Sequence, residues 1–300
     1  MDRADEQARQ DSCTGVATAM TAVSVIIVAL RFYSRQIIVR NFGKDDWMML
    51  VALIFTIGYL ACIYVLRENG MGYSGNELKL SQMTNMITTT LGIEIIYYIV
   101  VYAIKTSILF FYLRIAVEKS FERGCKLTIW LLTVFVAICV ICCLTQCIPL
   151  HKMWDFTGLV NGHCINTTAF FYFTSSFNIV TDIWILALPV KTLMSIQRPG
   201  REKAALIFVF GLGIFSCIAS IVRLHSIRIY TESKDPFYDS VPINIWSMIE
   251  VNIGIWCASI PSLKALFFKA QRERTRGTAG YKYHTFYKRS CLFYDNPTWQ

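Results

Sequence analysis

Residues 86–115 read MITTTLGIEIIYYIVVYAIKTSILFFYLRI, and this stretch decides the fold. A helix crossing about 30 Å of hydrocarbon needs roughly 20 mostly apolar residues. This run supplies more, yet it carries Glu94 and Lys105 inside it. An unpaired charge at that depth is costly, so the pattern predicts a helix whose charged stripe faces the interior of a bundle. Positions 94 and 105 lie about three turns apart, which puts them on nearly the same face.

The surrounding chain has the composition of a membrane protein. Of its 300 residues, 55% are hydrophobic and 16% charged, against about 25% charged in soluble domains. Apolar segments lie at about 14–34, 47–66, 86–113, 126–148, 167–191, 204–229 and 243–266, joined by short linkers. Lipid tolerates only helices or closed barrels, and no segment is left over for a sheet. The expected fold is therefore all-α: a seven-transmembrane-helix bundle over residues 14–268, a short N-terminal tail over 1–13 and a basic tail over 269–300. Residues 1–12 (MDRADEQARQDS) are polar and acidic, unlike a signal peptide, so the first apolar segment is expected to remain as an anchor. The net charge of +9 comes without a zinc-finger, helix-turn-helix or RNA-binding motif. The expected partner is the lipid bilayer and not nucleic acid.

Lys and Arg residues are unevenly placed. One set of linkers holds Arg31, Arg35, Arg40 and Lys44, then Arg114, Lys119, Arg123 and Lys126, then Lys191, Arg198, Arg201 and Lys203. The tail adds Lys264, Lys269, Arg272, Arg274, Arg276, Lys282, Lys288 and Arg289 to the same side. The other side has Arg3, Arg9, Arg67, Lys79, Lys152, Arg228 and Lys234, leaving Lys105 and Arg223 within the membrane. By the positive-inside rule the N-terminus is expected outside and the C-terminus in the cytoplasm. The tail is read as solvated, with its basic and aromatic residues and Cys291 offering only weak signs of contact with the inner leaflet.

The loop after segment four, PLHKMWDFTGLVNGHC, is flanked by Cys147 and closed by Cys164. On the outer side disulfides persist, which favours a Cys147–Cys164 bridge over two free thiols. A metal set of Cys147, His151, His163 and Cys164 would need all four ligands to converge and is the weaker alternative, so no metal is expected. Asn166-Thr167-Thr168 is an N-glycosylation sequon on the same side, close to the start of segment five.

Several short motifs together carry a family resemblance. Phe42-Gly43-Lys44-Asp45-Asp46-Trp47 opens segment two, and Lys105-Thr106-Ser107-Ile108-Leu109-Phe110-Phe111-Tyr112-Leu113-Arg114 closes segment three. Cys147-Ile148-Pro149 and Trp154 precede Cys164, and segment five has Asn178, Asp182 and Leu188-Pro189. Gly211 and Ile221-Val222-Arg223 lie in segment six, and Glu250, Asn252 and Pro261 in segment seven. In this order they resemble the fungal rhodopsin-domain integral membrane proteins, from about Ala29 to Phe267. The resemblance implies a seven-helix protein of a kind that includes candidate receptors and products of secondary-metabolite gene clusters. One departure is Gly70-Met71-Gly72-Tyr73-Ser74, with serine where the family commonly has histidine.

No cofactor is expected, retinal included. A retinal protein needs a lysine within its last helix, and segment seven offers only Lys264, beyond Pro261, while Lys105 is on segment three. By depth along their helices, Glu94, Arg223 and Glu250 share an outer tier with Asn252 just below, and these four are the candidate ligand-binding residues. Lys105 and Asp182, with Asn178 one turn above Asp182, form a deeper polar pair. Their plainest role is to hold helices in register, since such contacts average under about 1 kcal/mol. One arginine does not neutralise Glu94 and Glu250 together, so either one carboxylate is protonated through desolvation or something cationic or hydrogen-bonding occupies the site. Asp45-Asp46 at the start of segment two reads as capping, with Trp47 as an interfacial anchor.

The leading functional expectation is a receptor-like protein that binds a small extracellular or lipophilic molecule. A plasma-membrane address is favoured over an internal membrane. Tyr112-Leu113-Arg114 is not the acidic-Arg-aromatic triplet of the best-known receptors, so coupling to a G protein is left open. The alternative is an intramembrane enzyme of secondary metabolism, cyclase-like, using Glu94, Asp182 or Glu250 as a buried acid. Transport ranks last, because no internal repeat or broken helix pair is visible.

Overall fold

The computed structural model describes residues 3–116, 118–156, 160–189, 200–233 and 235–263. The basic tail over 269–300 with Cys291, together with Lys264, Lys191 and Arg198, lies outside the described residues. Seven long helices follow one another: α1 (Arg3–Tyr33, continued by a π-helical turn, Ser34–Val39), α2 (Lys44–Glu68), α3 (Leu80–Ile115), α4 (Lys119–Leu144), α5 (Thr167–Ala187), α6 (Gly200–Glu232) and α7 (Ser240–Leu263). All seven contain a stretch long and apolar enough to cross a membrane.

The bundle turns its large apolar residues outward and its small and hydroxyl residues inward. Leu127, Trp130, Leu131, Ile138 and Ile141 of α4 are exposed, as are Phe173, Val180 and Trp184 of α5. Inside lie Ser24, Thr56, Thr106, Ser107, Ser175, Ser220, Ser247 and Ser259. Lipid gives helices no hydrophobic reason to associate, so close packing and interhelical hydrogen bonds must hold them. Gly213 shows how close the approach is: a Cβ there would stand 2.4 Å from Leu186 Cδ2 across the α5–α6 contact. Helix α3 packs against α2, α4 and α5 and is central to the bundle. Helix α7 is the most enclosed, with 67% of its most apolar window buried.

Two features differ from the sequence expectation. A two-stranded sheet is present: β1 (Cys147–Ile148) pairs antiparallel with β2 (His163–Cys164), Cys147 opposite Cys164. The two cysteines are joined as a disulfide, so neither is a thiolate ligand for a metal. The loop was long enough to fold back on itself once the bond pinned its ends. Second, residues counted as a tail are helical. Glu6, Gln10 and Cys13 are buried, because α1 begins beside the α2–α3 and α6–α7 loops. Gln10 Nε2 donates to the Met71 carbonyl at 2.7 Å, and the Arg9 guanidinium lies 4.3 Å from the Tyr238 ring centre.

The Gly70–Ser74 run makes this junction. Gly70 and Gly72 adopt φ of 92° and 88°, a region that costs other residues about 1–2 kcal/mol. Gly72 N–H donates to the Phe237 carbonyl at 3.2 Å. Ser74 Oγ donates to Asp235 Oδ2 at 2.7 Å, and the Gly75 amide donates to the same carboxylate at 2.9 Å. Serine in the family's histidine position thus ties two loops together at the hairpin end of the bundle.

Candidate functional site

Four helices, α3, α5, α6 and α7, deliver ionisable side chains to the middle of the bundle, and three of the same helices supply the groups that join them. From α3, Lys105 Nζ donates to the Asn178 carbonyl at 2.9 Å, to Asn178 Oδ1 at 2.6 Å and to Thr181 Oγ1 at 2.7 Å. It also lies 3.0 Å from Asp182 Oδ1, so one ammonium serves a whole turn of α5. From α6, Arg223 Nε stands 2.9 Å from Glu250 Oε2 of α7. That pair is an ion pair by distance only, because the N–H does not point along the line to the oxygen. The Arg223 guanidinium also lies 4.4 Å from the Tyr97 ring centre.

Glu250 connects the two pairs. Its Oε1 accepts from Asn178 Nδ2 at 2.7 Å, from Tyr97 OH at 3.0 Å and from Ser220 Oγ at 2.6 Å. Ser220 Oγ is also 3.3 Å from Asp182 Oδ2. Arg223 and Glu250 of the expected outer tier and the deeper Lys105–Asp182 pair are therefore one network, with Lys105 and Arg223 balanced by Asp182 and Glu250. All four side chains are buried or nearly so. Burying a charge is tolerable only when it is paired and hydrogen-bonded, and here every charge is.

The remaining candidates lie elsewhere. Glu94 does not join Arg223 and Glu250. It accepts from Gln146 Nε2 at 2.8 Å, at the end of α4. Among the described residues it has no ion-pair partner. Asn252 turns toward α1, where its Oδ1 accepts from Ser24 Oγ at 2.6 Å and its Nδ2 donates to the Met248 carbonyl at 2.8 Å. Asn166 is exposed at the start of α5, where its Oδ1 accepts from the Ala169 amide at 3.1 Å as an N-cap.

A crevice of about 80 Å³ lies against the network, on the side toward the C-terminal ends of α3 and α7. Lys105, Asp182 and Glu250 line its polar part, and Val101, Ile104, Ile108, Phe111, Val251 and Pro261 are among its apolar lining. A smaller cavity of about 30 Å³ lies between α3, α4 and α5, bordered by Tyr97, Tyr98, Tyr102, Lys105 and Asn178. Lys105 borders both cavities.

Sequence reasoning missed Tyr97, Ser220 and Thr181 at this site. A signal existed for two of them: Tyr97 lies eight residues before Lys105 on the charged stripe of α3, and Ser220 is one turn before Arg223. It also missed a second buried cluster at the opposite end from the hairpin. Asp45 and Asp46 do more than cap α2. Asp46 Oδ2 accepts from the Gly43 amide at 3.0 Å, but both carboxylates also bind Arg31 and Arg35 of the first helix and its π-helical extension. Those arginines entered the loop count as solvated charges, whereas Arg31 is fully buried. The signal was their own spacing, since positions 31 and 35 share one helix face.

Fold and site together define a multi-pass integral membrane protein with a balanced charge network at its centre. The chain belongs to the fungal rhodopsin domain family, whose model matches residues 30–269. Among curated relatives it is 34% identical to a SAT4 family membrane protein of Emericella nidulans, over 62% of this chain and 49% of the relative. It is 28% identical to Receptor GIN3 of Arthrobotrys oligospora, over 84% of this chain and 60% of the relative. A third relative, 26% identical over 83% of this chain and 71% of its own length, is the polyenoic acids biosynthesis gene cluster protein Ba17b of Metarhizium anisopliae. The chain thus spans about half to three fifths of the length of the first two. No solved structure matches it.

Proposed function

We propose that this is a receptor-like membrane protein that binds a small lipophilic molecule in the crevice between α3, α5, α6 and α7. One observation carries the reading: a single crevice joins an apolar wall to the Lys105–Asp182–Glu250 edge of the network. Ligand pockets are typically apolar with a few placed polar groups. Lys105 already faces four acceptors, so the lone pairs left for a ligand are carboxylate oxygens. Because the four charges cancel, a neutral ligand fits better than an ion. The polar end of the ligand is then a hydroxyl or N–H donor, and the rest is hydrocarbon.

The relative named as a receptor supports the sensing half of this reading. The relative named for a biosynthetic gene cluster supports a place beside secondary metabolism. The enzyme reading is weaker, because among the described residues Asp182 and Glu250 are each paired with a cation and accept hydrogen bonds, an arrangement that suits acceptors better than a proton donor. The reading takes the N-terminus as outside and the C-terminus as cytoplasmic, supported by the Lys/Arg bias, and favours the plasma membrane.

Ser216 lines the crevice outside the ion pairs, so Ser216→Phe fills the space and spares the charges. Full-length protein purified from its own membranes should carry hydroxylated or amide-bearing apolar molecules, detected by mass spectrometry of the extract. The Ser216→Phe protein, folded by size-exclusion profile, should lose them. Equal yields from both proteins would overturn the reading.

A further inference from the structure

We propose that Glu94 and Gln146 form a second site, separate from the crevice, that takes the N–H groups of a primary or secondary ammonium ion. It does not depend on the reading of the crevice. The Glu94 carboxylate has one firm donor, Gln146 Nε2 at 2.8 Å. Tyr98 OH is 3.4 Å from its other oxygen, but the same hydroxyl has a nearer acceptor in Thr174 Oγ1 at 3.1 Å. The Cys143 thiol lies beside the carboxylate as a weak donor. The two cations buried in the central network are committed to other carboxylates, Arg223 to Glu250 and Lys105 to Asp182.

Gln146 supplies the independent observation. Its side chain is 1% exposed, and its Oε1 is buried with no hydrogen-bond partner. A buried amide oxygen left unpaired is costly, and here it belongs to the same amide that holds Glu94. The backbone of Gln146 is fixed from both sides: its carbonyl accepts from the Ile165 amide at 2.8 Å, and it precedes the disulfide-bonded Cys147. The hairpin therefore fixes the backbone from which this side chain extends, and the bond to Glu94 holds its amide.

The singly charged Glu94 carboxylate and the unpaired oxygen of the amide bonded to it call for a donor with one positive charge and more than one N–H. An alkylammonium group meets all three requirements. A quaternary ammonium brings charge without N–H and leaves Oε1 unpaired. Divalent cations want six or more oxygens, more than these two residues offer. Tyr98, whose hydroxyl lies 3.4 Å from the carboxylate, packs its ring edge-on to Phe170 at 6.2 Å. Glu94 is only partly buried.

The test uses the full chain in detergent and follows thermal unfolding with methylammonium, tetramethylammonium or sodium chloride at matched ionic strength. Binding to the folded state raises the melting temperature with concentration. Methylammonium should do so at about tenfold lower concentration than either control. Glu94→Gln should abolish the difference, and Gln146→Leu should weaken it about tenfold. Glu94→Asp, which keeps the charge and shortens its reach, should also weaken it and serves if Glu94→Gln does not fold. Equal shifts from all three salts, no shift from methylammonium, or an undiminished difference in Glu94→Gln or Glu94→Asp would overturn the proposal.

Discussion

Arg31 Nε donates to Asp46 Oδ1 at 2.8 Å, and neither side chain touches solvent. The same guanidinium donates from Nη2 to Asp45 Oδ2 at 2.8 Å and from Nη1 to the Ala258 carbonyl at 2.6 Å. One residue of α1 thus holds the start of α2 and the end of α7. Arg35 adds a bond to Ser262 Oγ at 2.9 Å, and Ser107 of α3 donates to the Asp45 carbonyl at 2.7 Å. Four helices, α1, α2, α3 and α7, meet at this site.

Removing one member of this cluster should be severe. Breaking a buried pair costs about 3–5 kcal/mol, because it strands the partner charge. Arg31→Ala should lose most folded protein, read as the monodisperse fraction after detergent extraction. Asp46→Asn keeps one acceptor oxygen, for Arg31 or for the Gly43 amide but not for both, and should retain more. Arg228→Ala, which breaks an exposed pair with Glu232, should behave as wild type. If Arg31→Ala melts like Arg228→Ala, the cluster does not hold the helices.

The central network should show coupling in place of simple loss. Lys105→Met strands Asp182 among its remaining partners, and Asp182→Leu strands Lys105. The double variant strands neither charge. Each single change should destabilise by about 3–5 kcal/mol, and the double by clearly less than their sum, a coupling of about 1 kcal/mol or more. Additive losses in a thermal melt would mean that the 3.0 Å contact contributes nothing of its own.

What the sequence made legible follows from which forces act locally. Seven spans could be read because hydrocarbon thickness sets a length that any window of residues reveals. The pairing of Lys105 with Asp182 was readable as depth on two helices. Depth does not give rotation, however, and rotation is what sent Glu94 to Gln146 and Asn252 to Ser24. Arg31 and Arg35 looked like loop charges because a helix end is not marked in an apolar run; the π-helical turn carries α1 past both. The β1–β2 hairpin escaped notice because two paired residues on each side leave no periodicity to read.

The loop junction offers a milder test. Asp235 accepts from Ser74 Oγ and from the Gly75 amide, so one carboxylate fastens the α2–α3 loop to the α6–α7 loop. Asp235→Ala should leave the helices intact and raise the rate of limited proteolysis within residues 70–78. Gly72→Ala should do the same for a different reason, since its φ of 88° is strained for alanine by about 1–2 kcal/mol. Unchanged cleavage in both variants would show that the loops are held by α1 alone.

The disulfide should matter to the hairpin and little to the bundle. It closes a segment with a sequence separation of 17, for which the loop-entropy model gives about 3 kcal/mol. Cys147→Ser with Cys164→Ser should expose residues 150–162 to protease while leaving helical circular dichroism unchanged. A loss of helix signal would place the bond among the supports of the bundle itself.

Asn166 allows the orientation to be measured. Its side chain is exposed, and it also caps α5, so its two roles must be separated. Asn166→Ala removes both sequon and cap, at a cost of about 1 kcal/mol. Thr168→Val removes only the sequon and leaves the cap. If the hairpin end faces outside, the wild-type protein should carry an endoglycosidase-sensitive glycan that Thr168→Val lacks, with melting unchanged beyond the loss of the sugar. A sequon-bearing extension fused to the C-terminus should then remain unmodified. Modification of that extension, with none at Asn166, would invert the topology and move the Glu94 site to the cytoplasmic side.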